Sequence, residues 1–453
     1  MIAKKEKPYT ATRNACKLCT PLGASLVFKG IRKAVPLLHG SQGCSTYIRR
    51  YFISHFKEPV DIACSNFGEQ TAIFGGGANL KVALKNITRQ YAPELIGIST
   101  TCLSETIGDD VPMFLREYRE LYPDEEMPPL VHVSTPSYQG THMDGFHDAV
   151  RAITDTLARE GNPGEGINLF PGMLSPADLR YLKEVVSDFD LPAVMLPDYS
   201  RTLDGGLWAE YHRIPEGGTP VDDIRKMGSA AATVEFGRIL SGTASAGKSL
   251  RSRLNVPCFS LGLPIGVVET DAFFEALEKI SGRSTPEEHR EERARLLDAY
   301  VDGHKYVSGL KAAVYGEEDL VVGLASFLSE IGITPVLCAS GGQSGRLKSA
   351  VSDVLADIPP DDVCVRDNMD FMEIEEIARD LKPDFLIGNS KGYSVSRKIG
   401  VPLIRVGFPV HDRIGGQRIL HVGYRGAQQL FDRVVNAMIE VRQSSTDIGY
   451  SYM

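Results

Sequence analysis

Short apolar or β-branched runs alternate along this chain with longer stretches whose apolar residues recur three and four positions apart. The runs are 95–101 (LIGISTT), 129–134 (PLVHVS), 167–170 (INLF), 193–197 (AVMLP), 233–236 (TVEF), 320–325 (LVVGLA), 334–340 (TPVLCAS), 384–390 (DFLIGNS) and 402–408 (PLIRVGF). Between them, 72–91, 269–281, 286–304 and 425–443 have the spacing of amphipathic helices. Strand runs apolar on both faces and separated by helices belong in parallel sheets covered by helices, so the predicted fold class is α/β. A length of 453 residues exceeds one ordinary core. With soft boundaries at the glycine-rich EGNPGEG (160–166) and in the charged helix 286–304, three α/β units are expected, over 1–160, 161–300 and 301–453.

Charge removes some function classes. With 58 acidic against 49 basic residues the net charge is −9, so no broad positive field recruits nucleic acid or an anionic membrane. No apolar run approaches the roughly 18 residues of a membrane span, and the N-terminal MIAKKEKPYTATRN has basic residues but no apolar core, so a cytoplasmic location is expected. Eight cysteines are too few for a disulfide scaffold at this length; in a reducing compartment they are expected to be free or metal-bound.

Position singles out three of those cysteines and one serine. Cys102 directly follows the run 95–101, Ser137 follows 129–134, and the HGSQGC loop that ends in Cys44 follows VPLL (35–38). All three loops then lie at carboxyl ends of parallel strands, where open α/β sheets bind ligands. Cys19 precedes the helix candidate 23–33, whose dipole would favour a thiolate. Three thiolates so placed suit a soft-metal or iron–sulfur site, and a fourth ligand would come most simply from a partner chain. The competing reading is plain burial, a common fate of free cysteine. Cys64, Cys258, Cys338 and Cys364 sit in apolar contexts and are read as structural, and Cys16, which forms a CxxC with Cys19, as a non-ligand. His39 and His55 are read as hydrogen-bonding residues, and the pair Asp109–Asp110 as helix N-caps.

The segments CTPLGA, HGSQGC, YFISHFKEP, FGGGANLK, STTCLSETIGDD and TPSYQGTH, with spacings of 25, 58 and 35 residues between Cys19, Cys44, Cys102 and Ser137, resemble in order the β-type chain of the nitrogenase component 1 family. LPDYSRTLDGG, LGLPIGVVETDAF, DFLIGNSKGYSVSRKIGVPLIRVGFPVHDR and GYRG extend the resemblance over nearly the whole chain. It implies three Rossmann-like domains and an α2β2 heterotetramer with an α-type chain. It also implies an [8Fe-7S] P-cluster shared at the α/β interface, and a second iron–sulfur metallocofactor held by the partner. Cys19, Cys44 and Cys102 match the β-side thiolates, and Ser137 the serine whose oxygen joins an iron on oxidation. Ser41, Gly43 and Tyr47 line the Cys44 loop. Phe74 matches an exposed aromatic where an ATP-dependent [4Fe-4S] reductase dimer docks.

The implied function is that of an oxidoreductase subunit that relays electrons and holds no catalytic residue of its own. From about residue 196 the text looks more like the N chain of the iron-molybdenum cofactor assembly scaffold, yet such chains often lack part of the cysteine and serine set. The complete set favours a nitrogenase-like reductase outside the standard molybdenum type, with methylthio-alkane reductase as the specific expectation. The scaffold N chain is the alternative. A relative that reduces a chlorophyll precursor with one interface [4Fe-4S] cluster fits the complete set less well.

Overall fold

The computed structural model describes residues 14–446, apart from the side chains of 241 and 242; the basic N-terminal stretch noted above lies almost entirely outside them. Thirteen strands among the described residues form three wholly parallel sheets. The first contains β1 (Ala34–His39), β2 (Ala63–Cys64), β3 (Leu95–Thr100) and β4 (Leu130–Val133) in the order β2-β1-β3-β4. The second contains β5 (Ile167–Phe170), β6 (Ala193–Met195), β7 (Ala232–Phe236) and β8 (Cys258–Leu261) in the order β6-β5-β7-β8. The third contains β9 (Lys311–Gly316), β10 (Thr334–Ser340), β11 (Cys364–Arg366), β12 (Phe385–Gly388) and β13 (Leu403–Arg405) in the order β11-β10-β9-β12-β13. β1, β3, β5, β7 and β12 are buried along their whole length, as parallel strands covered on both faces require.

The sheets share one large core, while the first and third each keep a smaller cluster on another face. A single apolar cluster runs from Leu18 to Met438 and takes residues from all three. The C-terminal helix Gly423–Ser444 packs back on the helices Glu287–Val307 and Gly266–Ser281. At the other end of the chain, Ala15 bridges Asp370, and the Cys16 amide donates to the Met369 carbonyl at 3.1 Å. The segment that leads to Cys19 is thus tied to the third sheet before it enters the first. No helix among the described residues is long and apolar enough to cross a membrane.

Several elements differ from the sequence reading. LVVGLA (320–325) is not a strand but part of the 13-residue helix Glu318–Glu330, buried on every side from Asp319 to Leu328, so its apolar residues show no helical stripe. Glu317 caps it by accepting the amides of Leu320 and Asp319. The predicted helix 72–91 is broken: Glu69–Phe74 stops at Gly75, whose φ of +90° lies outside the helical region, and Gly77–Tyr91 starts afresh. The central strand β9 was not expected at all.

Candidate iron–sulfur site

Register sets the site. His39 at the end of β1 lies level with Thr100 at the end of β3, and Ser99 lies level with Val133 at the end of β4. The chain leaves all three adjacent strands on one edge, carrying Cys44, Cys102 and Ser137. Cross-bonds hold the exits together. The Thr101 amide and hydroxyl both donate to the His39 carbonyl, at 3.2 and 3.1 Å. The Thr135 amide donates to the Thr100 hydroxyl at 2.7 Å, and its own hydroxyl to the Thr100 carbonyl at 2.6 Å.

Cys19 reaches the same edge from a helix that crosses the sheet. It occupies the N-cap of the helix Thr20–Lys29, whose residues are all buried, with Pro21 in the first turn. That helix packs tightly on His142–Leu157: a Cβ at Gly23 would lie 1.7 Å from the His142 carbonyl oxygen, so the glycine of CTPLGA is the residue that permits the crossing.

The four residues meet. The Thr20 amide donates to Ser137 Oγ at 3.1 Å, and the Ser137 amide donates to Cys102 Sγ at 3.3 Å. The Cys19 thiol feels the charges of both Cys44 and Cys102. Cys102 opens the helix Cys102–Thr106, which is fixed by a capping box between Thr101 and Ser104, and its side chain is exposed. Cys44 lies in the first turn of Gln42–Phe56 and is half-buried.

Of the predicted loop residues, Ser41 is the N-cap of Gln42–Phe56 but caps nothing with its side chain; its hydroxyl points to Cys44 Sγ at 3.8 Å. Tyr47 is 42% exposed, stacks at a tilt on Tyr51 with centroids 4.8 Å apart, and lies near enough to Cys19 to feel its charge. Gly43 is exposed, and a Cβ there would meet only Ser41 Oγ, at 3.8 Å, leaving its outer side open. Phe74 is 85% exposed, beside an exposed Ile73.

One expectation about Cys19 is reversed. Burial pushes its thiol up to about 12; the helix-end amide of Leu22 pulls down by more than either neighbouring cysteine, Cys44 or Cys102, pushes up, yet does not offset the burial. Desolvation therefore outweighs the dipole, and a thiolate at Cys19 needs a positive charge in the site. Cys16 lies apart, 5% exposed in a cluster with Tyr315 and Leu337 of the third sheet and Phe371 of the helix Phe371–Leu381, its thiol likewise raised to about 12 by burial.

His39 and His55 are hydrogen-bonding residues, as read from the sequence. His55 is buried, its Nδ1 accepts the Val410 amide at 2.9 Å, and burial lowers it to about 3. His39 contacts Ser65 through Nδ1 (3.1 Å) and Asp109 through Nε2 (2.9 Å). This corrects the reading of Asp109: only Asp110 caps a helix, accepting the Met113 amide at 2.8 Å, while Asp109 turns inward to His39 and Gly76. The partners of Asp109 are distant in sequence, and the only local signal was the FGGG break.

All described cysteines are free. Among the described residues no three His, Cys, Asp or Glu side chains close on a single ion. Three separated sulfurs, Cys102 exposed and Cys19 and Cys44 half-buried, with a serine oxygen among them, fit one side of an extended sulfide-bridged cluster better than a mononuclear site.

Comparison with known proteins agrees with the motifs. The model of the family described as nitrogenase component 1 type oxidoreductase matches residues 19–439. The nitrogenase molybdenum-iron protein beta chain of Clostridium pasteurianum is 36% identical over 428 residues, covering 94% of this chain and 93% of that one. The nitrogenase iron-molybdenum cofactor biosynthesis protein NifN of Bradyrhizobium diazoefficiens is 33% identical over 447 residues, covering 96% and 92%. A solved structure described as nitrogenase Cp1 at pH 6.5 superposes with a TM-score of 0.94 at 35% identity, covering 100% of this chain and 99% of that one. A second chain, from nitrogenase Cp1 at pH 5, shares the fold at a TM-score of 0.67 and 15% identity. The chain belongs to the nitrogenase component 1 family of oxidoreductases, as a β-type subunit.

Proposed function

We propose that Cys19, Cys44, Cys102 and Ser137 form the β-side half of an [8Fe-7S] P-cluster site, completed by an α-type partner in an α2β2 assembly. The observation that carries this reading is the bonded set itself: Ser137 touches the Cys19 helix through Thr20 and touches Cys102 through its own amide. When bound, the cluster supplies one-electron storage between an ATP-dependent [4Fe-4S] reductase and a metallocofactor in the partner. Phe74 and Ile73 offer that reductase an exposed apolar contact. Ser41 directs a hydroxyl at a ligand sulfur, which lowers the charge on sulfur and raises the reduction potential. Cys16 stays outside the set.

The finer reading is a nitrogenase-like reductase that cleaves the carbon–sulfur bond of methylthio-alkanes in the partner chain. It rests on a complete ligand set joined to a scaffold-like text after residue 196. The alternative is a cofactor-assembly scaffold subunit, favoured by the similarity to NifN over 96% of the chain. Purification with the partner chain, iron counting, and EPR before and after oxidation separate the two. Iron matching [8Fe-7S] with an oxidised high-spin signal is expected. A four-iron cluster without that signal would sink the relay reading, and turnover of dinitrogen but not of a methylthio-alkane would sink the finer one.

A further inference from the structure

The docking aromatic and the cysteine loops share one buried pin. Phe74 ends the helix Glu69–Phe74, and the chain then turns through Gly75 and Gly76. The Gly76 amide donates to both carboxylate oxygens of Asp109, at 3.0 and 3.1 Å. A Cβ at Gly76 would lie 2.7 Å from Asp109 Oδ2 and 2.3 Å from the Phe67 ring, so the turn is shaped around that carboxylate. The Asp109 side chain is 3% exposed, and its Oδ2 also meets Nε2 of the fully buried His39 at 2.9 Å.

His39 in turn is joined to both cysteine loops. Burial lowers its pKa against the pull of Asp109, so the neutral ring carries its proton on Nε2 and accepts the Ser65 hydroxyl at Nδ1. The same serine oxygen accepts the Gly40 amide at 3.0 Å, at the head of the loop to Cys44. The His39 carbonyl accepts the amide and hydroxyl of Thr101, the residue before Cys102. The His39 ring packs edge-on against Phe67, with centroids 4.9 Å apart, and the Phe67 amide donates to the Gly40 carbonyl at 3.0 Å. Asp109 lies in the segment that follows the Cys102 helix, its amide bonded to the Ser104 carbonyl at 3.1 Å.

We propose that Asp109 and His39 are positioning residues that transmit reductase docking at Phe74 to the loops of Cys44 and Cys102. A displacement of the Phe74–Gly76 turn moves the Gly76 amide, and Asp109 cannot follow it without pulling on His39. This inference rests on the docking and cluster readings above.

Hydrogen exchange followed by mass spectrometry on the intact heteromer tests it, with and without the reductase held by a non-hydrolysable ATP analogue. In the wild type, docking should change exchange by about two- to tenfold in peptides covering 69–78, 39–47 and 100–110. Asp109→Ala should keep the response at 69–78 and lose it in the other two, and should raise the ATP consumed per electron delivered by a similar factor. Asp109→Asn, with its amide oxygen in place of Oδ2, keeps the bond to His39 and one of the two from Gly76 but turns its NH2 toward the Gly76 N–H in place of Oδ1, so its response should fall between wild type and Asp109→Ala. Gly76→Ala forces the turn off the pin, because its Cβ would meet Asp109 Oδ2 and the Phe67 ring, and it serves as the second test if Asp109→Ala loses iron. No response at 69–78 in the wild type would overturn the docking reading. A response there that leaves 39–47 and 100–110 unchanged, or that reaches them undiminished in Asp109→Ala or in iron-replete Gly76→Ala, would overturn the relay alone.

Discussion

Replacing Ser137 with alanine separates a structural hydroxyl from a redox one. The oxygen accepts the amide of Thr20, the first residue of the buried helix after Cys19, at 3.1 Å. That amide is among the helix-end donors without an intrahelical partner, and losing such an acceptor costs about 1 kcal/mol. The bond to Cys102 Sγ comes from the Ser137 backbone and survives the substitution. In a chain of this length about 1 kcal/mol lowers Tm by about 2 °C or less. The reduced heteromer should therefore fold, keep its iron and give a wild-type spectrum. Oxidation should differ, because an alkoxide ligand forms only when the Ser137 hydroxyl loses its proton. A one-electron couple that releases one proton falls by about 59 mV per pH unit at 25 °C. An EPR-monitored redox titration across roughly pH 6 to 8, the range in which bulk carboxylates and lysines hold their charge, should show that slope in the wild type and none in Ser137→Ala. An unchanged oxidised spectrum and an unchanged slope in the variant would refute serine ligation. Loss of iron in the reduced state would show instead that the hydroxyl is needed to build the site.

Three further outcomes follow from the same geometry. Cys19→Ala, Cys44→Ala and Cys102→Ala should each lose iron, whereas Cys16→Ala should retain it and lower stability by about 1 kcal/mol for one buried sulfur packed beside Tyr315 and Phe371, measured by metal analysis and thermal unfolding. Burial raises Glu330 to about 7 despite the amides of Val267 and Val268 that donate to it, at 2.7 and 3.0 Å. Because this folded pKa exceeds the unfolded value, the stabilisation is complete below the unfolded pKa and disappears as pH rises through 7, up to about 3 kcal/mol in all. Thermal unfolding of Glu330→Gln should show its stability relative to wild type rising across that window, and a pH-independent difference would contradict the assignment. Phe74→Ala should raise the reductase concentration needed for half-maximal electron delivery by about tenfold, as removal of an exposed interface aromatic does, while leaving iron content unchanged.

The ligand loops were readable because each is a local event: an apolar run ends, a turn begins, and the chemistry-bearing residue comes next. β1, β3 and β4 end level with one another in register, so three such local events suffice to place Cys44, Cys102 and Ser137 on one edge. Misreadings arose where burial or a distant partner decided. LVVGLA is equally apolar as strand or helix, and only the cap at Glu317 and the continuation through Ser326, Phe327 and Leu328 make a helix of it. Cys16 is read as a non-ligand despite its CxxC with Cys19, and the atoms around it come from β9, β10 and the helix Phe371–Leu381, some 300 residues away. The same reasoning explains Cys19. A helix N-terminus predicts a low thiol pKa only when the thiol is hydrated, and at Cys19 burial outweighs the helix-end amide. At Cys19 the chain thus pre-forms the position of the thiolate but not its charge. Proton loss at Cys19 and arrival of cationic iron must then be a single linked event, with iron affinity rising with pH until the thiol would ionise unaided near 12.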